Sequence, residues 1–496
     1  VSIQGQSRAG TIFKLKDTCP GFGPGQTQAV FKTRAGNQSF HQNIRNVTID
    51  VGRGNPGAIA VDYIANNTGV IRDVTIKAAR ESGAIGIAMT RSWPGPALIS
   101  NVEIIGFDRG IEIGSPEYSM TFEHIRLRDQ RSWGMVSDNS ISVRDLHISG
   151  STNGILLRGG SSVLIDCLLE GIAVGTAMGE LPPNTYLRNV RQVNYATGIL
   201  VDGLNILGTI DELLVGRRFD LWPSEGLSLR LPVEETPASY VNNDMNAWAS
   251  IAEFGAVPSD PFFVKRVDNE AIQGAFNSGK PVVWLPVTRS NGSCYGIDRP
   301  ITVTQHVRLV TGFDQAKFCF FDSATIVVEG DGPEPLFLER MDAIRVFHVG
   351  KRPVVLRDIG LDRYTNVVGA GPVFIENVVG AFRPQHATTM WARQYNPEIQ
   401  PSTEAQHENH GGRHWILGMK TEGFAELTRT TSGGSTEVLG GFVYPAQSHA
   451  EGIRPAAWVV DNAHLSVIHR AASYVPRGWY PVAVRETRGM ETRELL

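Results

Sequence analysis

The sequence predicts an all-β fold made of two tandem right-handed parallel β-helices joined by a linker. Three observations predict it. Short alternating strands recur at nearly constant spacing, helical periodicity is almost absent, and the repeat fails once and then restarts.

The first array is expected over residues 1–216. A polar residue followed by an alternating apolar stretch begins at Asn46, Asp73, Asn101, His124, Asp145, Asp166, Asn189 and Asp211, at spacings of 27, 28, 23, 21, 21, 23 and 22 residues. A second series led by glycine runs between them, at Gly57, Gly86, Gly110, Gly154 and Gly198. Each repeat thus holds at least two short strands separated by Gly/Asn/Ser turns. A leucine-rich repeat would show a Leu-dominated consensus, and a propeller blade needs about 40 residues. A coil of this length with two or three strands fits a parallel β-helix, each strand pairing with its counterpart one coil away. The opening V-S-I-Q-G-Q-S reads like the middle of a structured element, so a cap and an export signal are expected upstream of Val1.

The linker is expected over residues 217–262, where the repeat fails in a Pro- and Glu-rich stretch. The second array is expected over residues 263–496. It opens with a short helix: Asp268 is the candidate N-cap, Ala271, Ile272 and Phe276 give an apolar face, and Gly279 closes it. Such a helix covers the open strand edges at the end of a β-helix. Repeats then resume near Arg308, Val354, Phe374, Trp415, Glu437 and Leu465.

The chain has 496 residues, too many for one ordinary core, and its 42% hydrophobic and 19% charged content is globular. A net charge of -4 without a basic stripe argues against nucleic acid as a partner. No apolar run approaches the ~18 residues of a membrane span, and a monomer is expected. The cysteines Cys19, Cys167, Cys294 and Cys319 form no C-x-x-C pair, which argues against a zinc or redox site. Cys294 and Cys319 are read first as thiols, with a disulfide across adjacent coils as the alternative.

The stretch D-N-E-A-I-Q-G-A-F-N-S-G-K-P-V-V-W-L-P resembles the opening of the pectate-lyase-superfamily β-helix. Two such helices joined by a linker resemble glycoside hydrolase family 55, the exo-β-1,3-glucanases, and its bacterial relatives. The segment W-I-L-G-M-K-T-E-G, Trp415 to Gly423, is similar to the family strand that precedes the general-acid Glu, which places that role on Glu422. M-W-A-R-Q-Y-N-P-E stands where the family carries another acidic residue in the cleft, here Glu398. The resemblance implies an inverting hydrolase acting on a β-glucan between the two β-helices, secreted or periplasmic. It also implies that the first domain positions the attacking water.

The residues support paired-carboxylate chemistry independently. Glycoside hydrolysis needs one carboxylic acid for the leaving oxygen and a second carboxylate for water. Glu398 and Glu422 lie 24 residues apart, about one coil, so they are expected at matching points on neighbouring coils. Crowding two carboxylates raises the pKa of one. Glu408 and Glu404 are alternative second carboxylates. With 50 Asp and Glu residues, a pair at coil spacing also arises by chance.

Trp391, Arg393, Gln394, Tyr395, Asn396, His410 and Trp415 are candidate sugar-binding groups, because flat aromatics beside polar side chains suit sugar rings. The alternative is that the tryptophans pack inward. The loop between Tyr395 and Arg413 breaks the coil pattern, as loops that carry sites often do. His407, His410 and His414 lack a zinc-site framework, so no metal and no cofactor are expected. In the first array Trp93, Trp133, Tyr118 and Arg131 are candidates for the opposite wall. Two other functions remain open. One is a polysaccharide lyase, which needs a proton abstractor; the other is a non-catalytic polysaccharide-binding protein.

Overall fold

The computed structural model describes residues 2–262, 265–288, 292–398, 404–423, 425–448 and 455–496. The chain is an all-β parallel β-helix. Strands up to Val215 share sheets only with one another, and so do strands from Trp248 onward.

In the first half, long strands stack in parallel in chain order: Gln42–Asp50, Gly69–Lys77, Ala97–Ile105, Met120–Arg128, Ile141–Ser151, Ser162–Gly171 and Thr185–Val193. Shorter strands from Gln28–Lys32 to Thr197–Val201 build a second sheet. The polar residues that lead each repeat have a specific conformational duty. Asn46, Asp73, Asn101, His124, Asp145, Asp166 and Asn189 all have φ between 51° and 57°, the left-handed region that Asn and Asp tolerate best among non-glycine residues. The pairing skips each of them: Arg45 pairs Arg72 and Val47 pairs Val74. Each therefore bends its strand, and the stacked bends form one corner of the coil. Asp211 is the exception. Its strand Thr209–Val215 runs antiparallel to Thr185–Val193, and Leu204–Ile206 runs antiparallel to Thr197–Val201, so the coil ends there rather than repeating.

Residues 248–250, inside the expected linker, already pair with Val282–Trp284 as the first strand of the second half. The helix forms at Asn269–Phe276, burying Ala271, Ile272 and Phe276. Asp268 stands at the N-cap position as expected, but its side chain makes no capping bond; its carboxylate accepts from the backbone N–H of Val257 and Gly296 and so ties neighbouring segments together. A ten-stranded parallel sheet follows. Its later strands, Val373–Val379, Thr389–Asn396, Arg413–Glu422 and Ser435–Tyr444, are its longest apart from the last, His464–Ala471. Cys294 and Cys319 are joined as a disulfide, the alternative that the spacing left second. Adjacent parallel strands, with Gly296 opposite Cys319, bring them together.

Corner residues of the second half, Asp358, Asn377 and Gln394, continue as Gly418 and Gly440, all with positive φ. At these two glycines a Cβ would lie 1.9 Å from Thr121 Oγ1 and 2.0 Å from Ser142 Oγ, respectively, so the two halves touch backbone to side chain. Charged ladders complete the seam. Arg45, Arg72, Ser100, Glu123 and Arg144 are stacked in register on one half, and Arg357, Glu376 and Arg393 on the other. Asp358 bridges Arg45 at 2.9 Å and Arg72 at 2.8 Å, and Arg393 reaches Glu123 at 3.1 Å. The connecting segment is a strap over this seam: Leu227, Leu231, Val233 and Tyr240 pack against an apolar cluster that includes Val163, Tyr186, Trp391 and Trp415.

Candidate active site

The site follows from strand periodicity. Register pairs Tyr395 with Met419, Lys420 with Phe442 and Glu422 with Tyr444. Residues two apart on a strand share a face, so Lys420 and Glu422 point the same way, with Phe442 and Tyr444 beside them. Continuing the Tyr395–Met419 register sets Asn396 against Lys420 and Glu398 against Glu422. Thr421, between them, turns inward to Gln406. Glu398 lies just past the end of its strand, where its N–H donates to Asn396 Oδ1 at 3.3 Å.

Lys420 is the hub. Its Nζ lies 2.7 Å from Glu398 Oε2, 3.6 Å from Glu422 Oε1 and 3.0 Å from Asn67 Oδ1, and the side chain is 1% exposed. Asn396 donates to Glu398 and to Asn67 at 3.2 Å each. The Tyr444 hydroxyl donates to Glu422. The Lys420 ammonium also sits 5.6 Å from the Tyr118 ring centre and 5.5 Å from that of Tyr444, a cation–π sandwich. Asn67 and Tyr118 come from the first half, so the site straddles the seam. Both carboxylates stay partly open to solvent, at 22% and 27% exposed.

Glu398 and Glu422 meet at the Lys420 ammonium, and their closeness sets their ionisation. Burial, then the neighbouring Glu422, push Glu398 up to about 7, against the pull of Lys420. Burial opposes charge on Glu422 as well. There the neighbouring Glu398, Lys420 and Tyr444 outweigh it, and its pKa is lowered. The pair therefore holds one proton near neutrality. Tyr444 and Tyr118 are both raised, first by burial, and remain phenols.

The other candidates stand elsewhere. Glu408 is on a different sheet, beside His410 of the same strand, and Glu404 pairs with Arg383. Trp391 and Trp415 border a groove of about 480 Å³ with Leu231, Pro232 and Arg413, near the start of the strands that end at the carboxylates. Both tryptophans are buried in the apolar cluster of the seam, with Phe374 stacked on Trp391 and Arg393 over Trp415, rather than inside the coil. We place the chemistry at the carboxylates, because this groove holds no paired acid. Arg393 is fully buried as a structural ion pair with Glu123. Tyr395 lies in the core, where its hydroxyl accepts from the Phe382 N–H. Gln394 accepts from Thr121 inside the seam, and His410 bonds Thr431. Of the expected sugar-binding groups only Asn396 contacts the pair. Residues 399–403 of the expected site loop lie outside the described residues.

Tyr118 of the expected opposite wall reaches the site, whereas Arg131 is bonded to Asp108 and Trp133 borders a separate groove. Lys420, Tyr444 and Asn67 were missed by sequence reasoning. Tyr444 lies 22 residues beyond Glu422, again one coil, and that spacing was the available signal. His407 and His414 contact each other at 2.9 Å, and burial lowers both, so they are neutral core groups apart from His410. Among the described residues, Glu123, His124 and Glu235 cluster within reach of a metal ion. Arg144 and Arg393 already occupy those carboxylates, and bonds from Asp145 and Glu235 raise His124 to about 9. A protonated imidazole between guanidinium groups does not suit a cation.

The chain matches no protein-family model, and no curated protein is significantly similar to it. What its structure assigns is the all-β parallel β-helix architecture.

Proposed function

We propose that this protein is a glycoside hydrolase acting on a polysaccharide at the seam between its two halves. The observation that carries the reading is a partly exposed carboxyl pair holding one proton near neutral pH. Glu398, raised to about 7, holds that proton at rest and passes it to Glu422, the more exposed member, which delivers it to the glycosidic oxygen. An inverting enzyme keeps its two carboxyl groups about 6.5–9.5 Å apart to admit water. Here both carboxylates contact the single Lys420 ammonium, at 2.7 and 3.6 Å, which favours a closer spacing than that, so in this reading water activation falls to a group other than Glu398. Asn67 and Tyr118 are the polar groups that the first half brings to this end of the cleft.

A β-glucan substrate follows the sequence resemblance. A secreted or periplasmic setting is favoured by the disulfide, which persists in oxidising compartments. A lyase is less well supported: its proton abstractor must be free of its own proton, whereas the tyrosines are held as phenols and Lys420 is engaged by carboxylates.

The test is a panel of neutral and uronic polysaccharides assayed for new reducing ends and for ultraviolet absorbance of unsaturated products. New reducing ends without that absorbance, lost at least ~100-fold in Glu422→Gln, support the hydrolase. Unsaturated products would replace it with a lyase. Binding without turnover would replace it with a non-catalytic role.

A further inference from the structure

We propose that Lys420 is a positioning residue that keeps the Glu398–Glu422 pair singly protonated, and that the first half of the chain holds it there through Asn67 and Tyr118. This deepens, and rests on, the reading of the pair as the acid of the site. Lysine in a strand beside two glutamates ordinarily turns to water, where its charge is solvated. Here it is 1% exposed, and each direction around its ammonium is occupied by a group that favours a cation.

Glu398 lies at 2.7 Å and Glu422 at 3.6 Å. The Asn67 carbonyl accepts at 3.0 Å, and the ring faces of Tyr118 and Tyr444 close two sides. Asn67 has φ 56° and sits between Asn66 and Thr68, which bridge each other, so its side chain is presented from a tight turn. Tyr118 belongs to the segment before Met120–Arg128, and Arg470 of the second half donates to Pro116 O at 3.4 Å in that same segment. These contacts tie the two halves together at the ammonium itself.

The consequence is electrostatic. A cation within about 4 Å of two neighbouring carboxyls lowers both, which prevents the pair from taking up a second proton at mildly acidic pH. The other charged or titratable groups facing this cluster are Tyr444, Tyr118 and Tyr474, with Glu117 and Arg470 farther out on the two lips. Lys420 is the cation among the described residues that contacts both carboxylates.

The experiment is an NMR titration of isotopically labelled glutamate carboxyls in the intact chain, assigned with Glu398→Gln and Glu422→Gln. It is run on the wild type, Lys420→Met, Lys420→Arg, Asn67→Ala and Tyr118→Ala. In Lys420→Met both carboxyl titrations rise, by about 1 to 3 on the pH scale, and Lys420→Arg restores them in part. Asn67→Ala and Tyr118→Ala move them in the same direction by less. Titrations in Lys420→Met that coincide with the wild type would overturn the role of the lysine. Unmoved titrations in both first-half variants would overturn the bracing, and those variants decide the matter if Lys420→Met does not fold. The readout needs no substrate. If the titrations shift while no polysaccharide is cleaved, the hydrolase reading fails and this inference stands. If cleavage is seen, the alkaline limb of its pH profile rises in Lys420→Met together with the titration.

Discussion

Replacing Glu398 by Gln should make the protein more stable at alkaline pH while impairing its chemistry. Glu398 binds its proton more tightly folded than unfolded, since its pKa rises from 4.5 to about 7. By linkage the folded state then holds more protons than the unfolded state between these values, so stability falls as pH rises through that window. A gap of about 2.5 pH units at about 1.36 kcal/mol each bounds the loss at about 3 kcal/mol. Glu422 is shifted the opposite way, but its contribution changes only below about 4.5, outside this window; partial solvent screening of Glu398 brings the expected loss to about 1 to 3 kcal/mol. At 22% exposed, Glu398 is screened too little by solvent to erase the effect. Glutamine keeps the shape and can still bond Glu422 and Asn396 without the charge. Unfolding in urea, followed at several values from pH 4 to pH 9, should show the wild type losing stability above about pH 5. The variant curve should be flatter and cross above it. A variant no more stable than the wild type at pH 8, or one with the same slope, would refute the assigned ionisation. The pattern, a destabilised group retained for use, is common at active sites.

Three further outcomes test the scaffold. Asp358→Ala leaves Arg45 and Arg72 without the carboxylate they share and should cost about 3–5 kcal/mol, read by denaturant unfolding. Gly418→Ala places a Cβ into Thr121 Oγ1 at a left-handed backbone position, with φ 74°. It should destabilise by about 1–3 kcal/mol, and Thr121→Gly in the same chain should recover part of that. Cys294→Ser with Cys319→Ser opens a disulfide with a sequence separation of 25 and should lower stability by about 2–4 kcal/mol, with faster proteolysis in the first coils of the second half.

What the sequence determined by itself is the periodic part of the molecule. The polar lead from Asn46 to Asn189 was legible because a coil corner demands a left-handed residue once per turn, and few side chains accept that geometry. The Glu398–Glu422 pairing was legible for the same reason: 24 residues is one coil there, and register carries a spacing into a contact. Tertiary structure decided the rest. Trp391, Trp415 and Arg393 look like a sugar-binding face in sequence, yet docking of the first half and the strap covers them, because the outward faces of these strands form an apolar seam that both bury. Asn67 and Tyr118 join Lys420 across more than 300 residues of chain. No repeat links those positions. Local register fixes which residues share a coil face, whereas the packing of one array on the other fixes which faces meet.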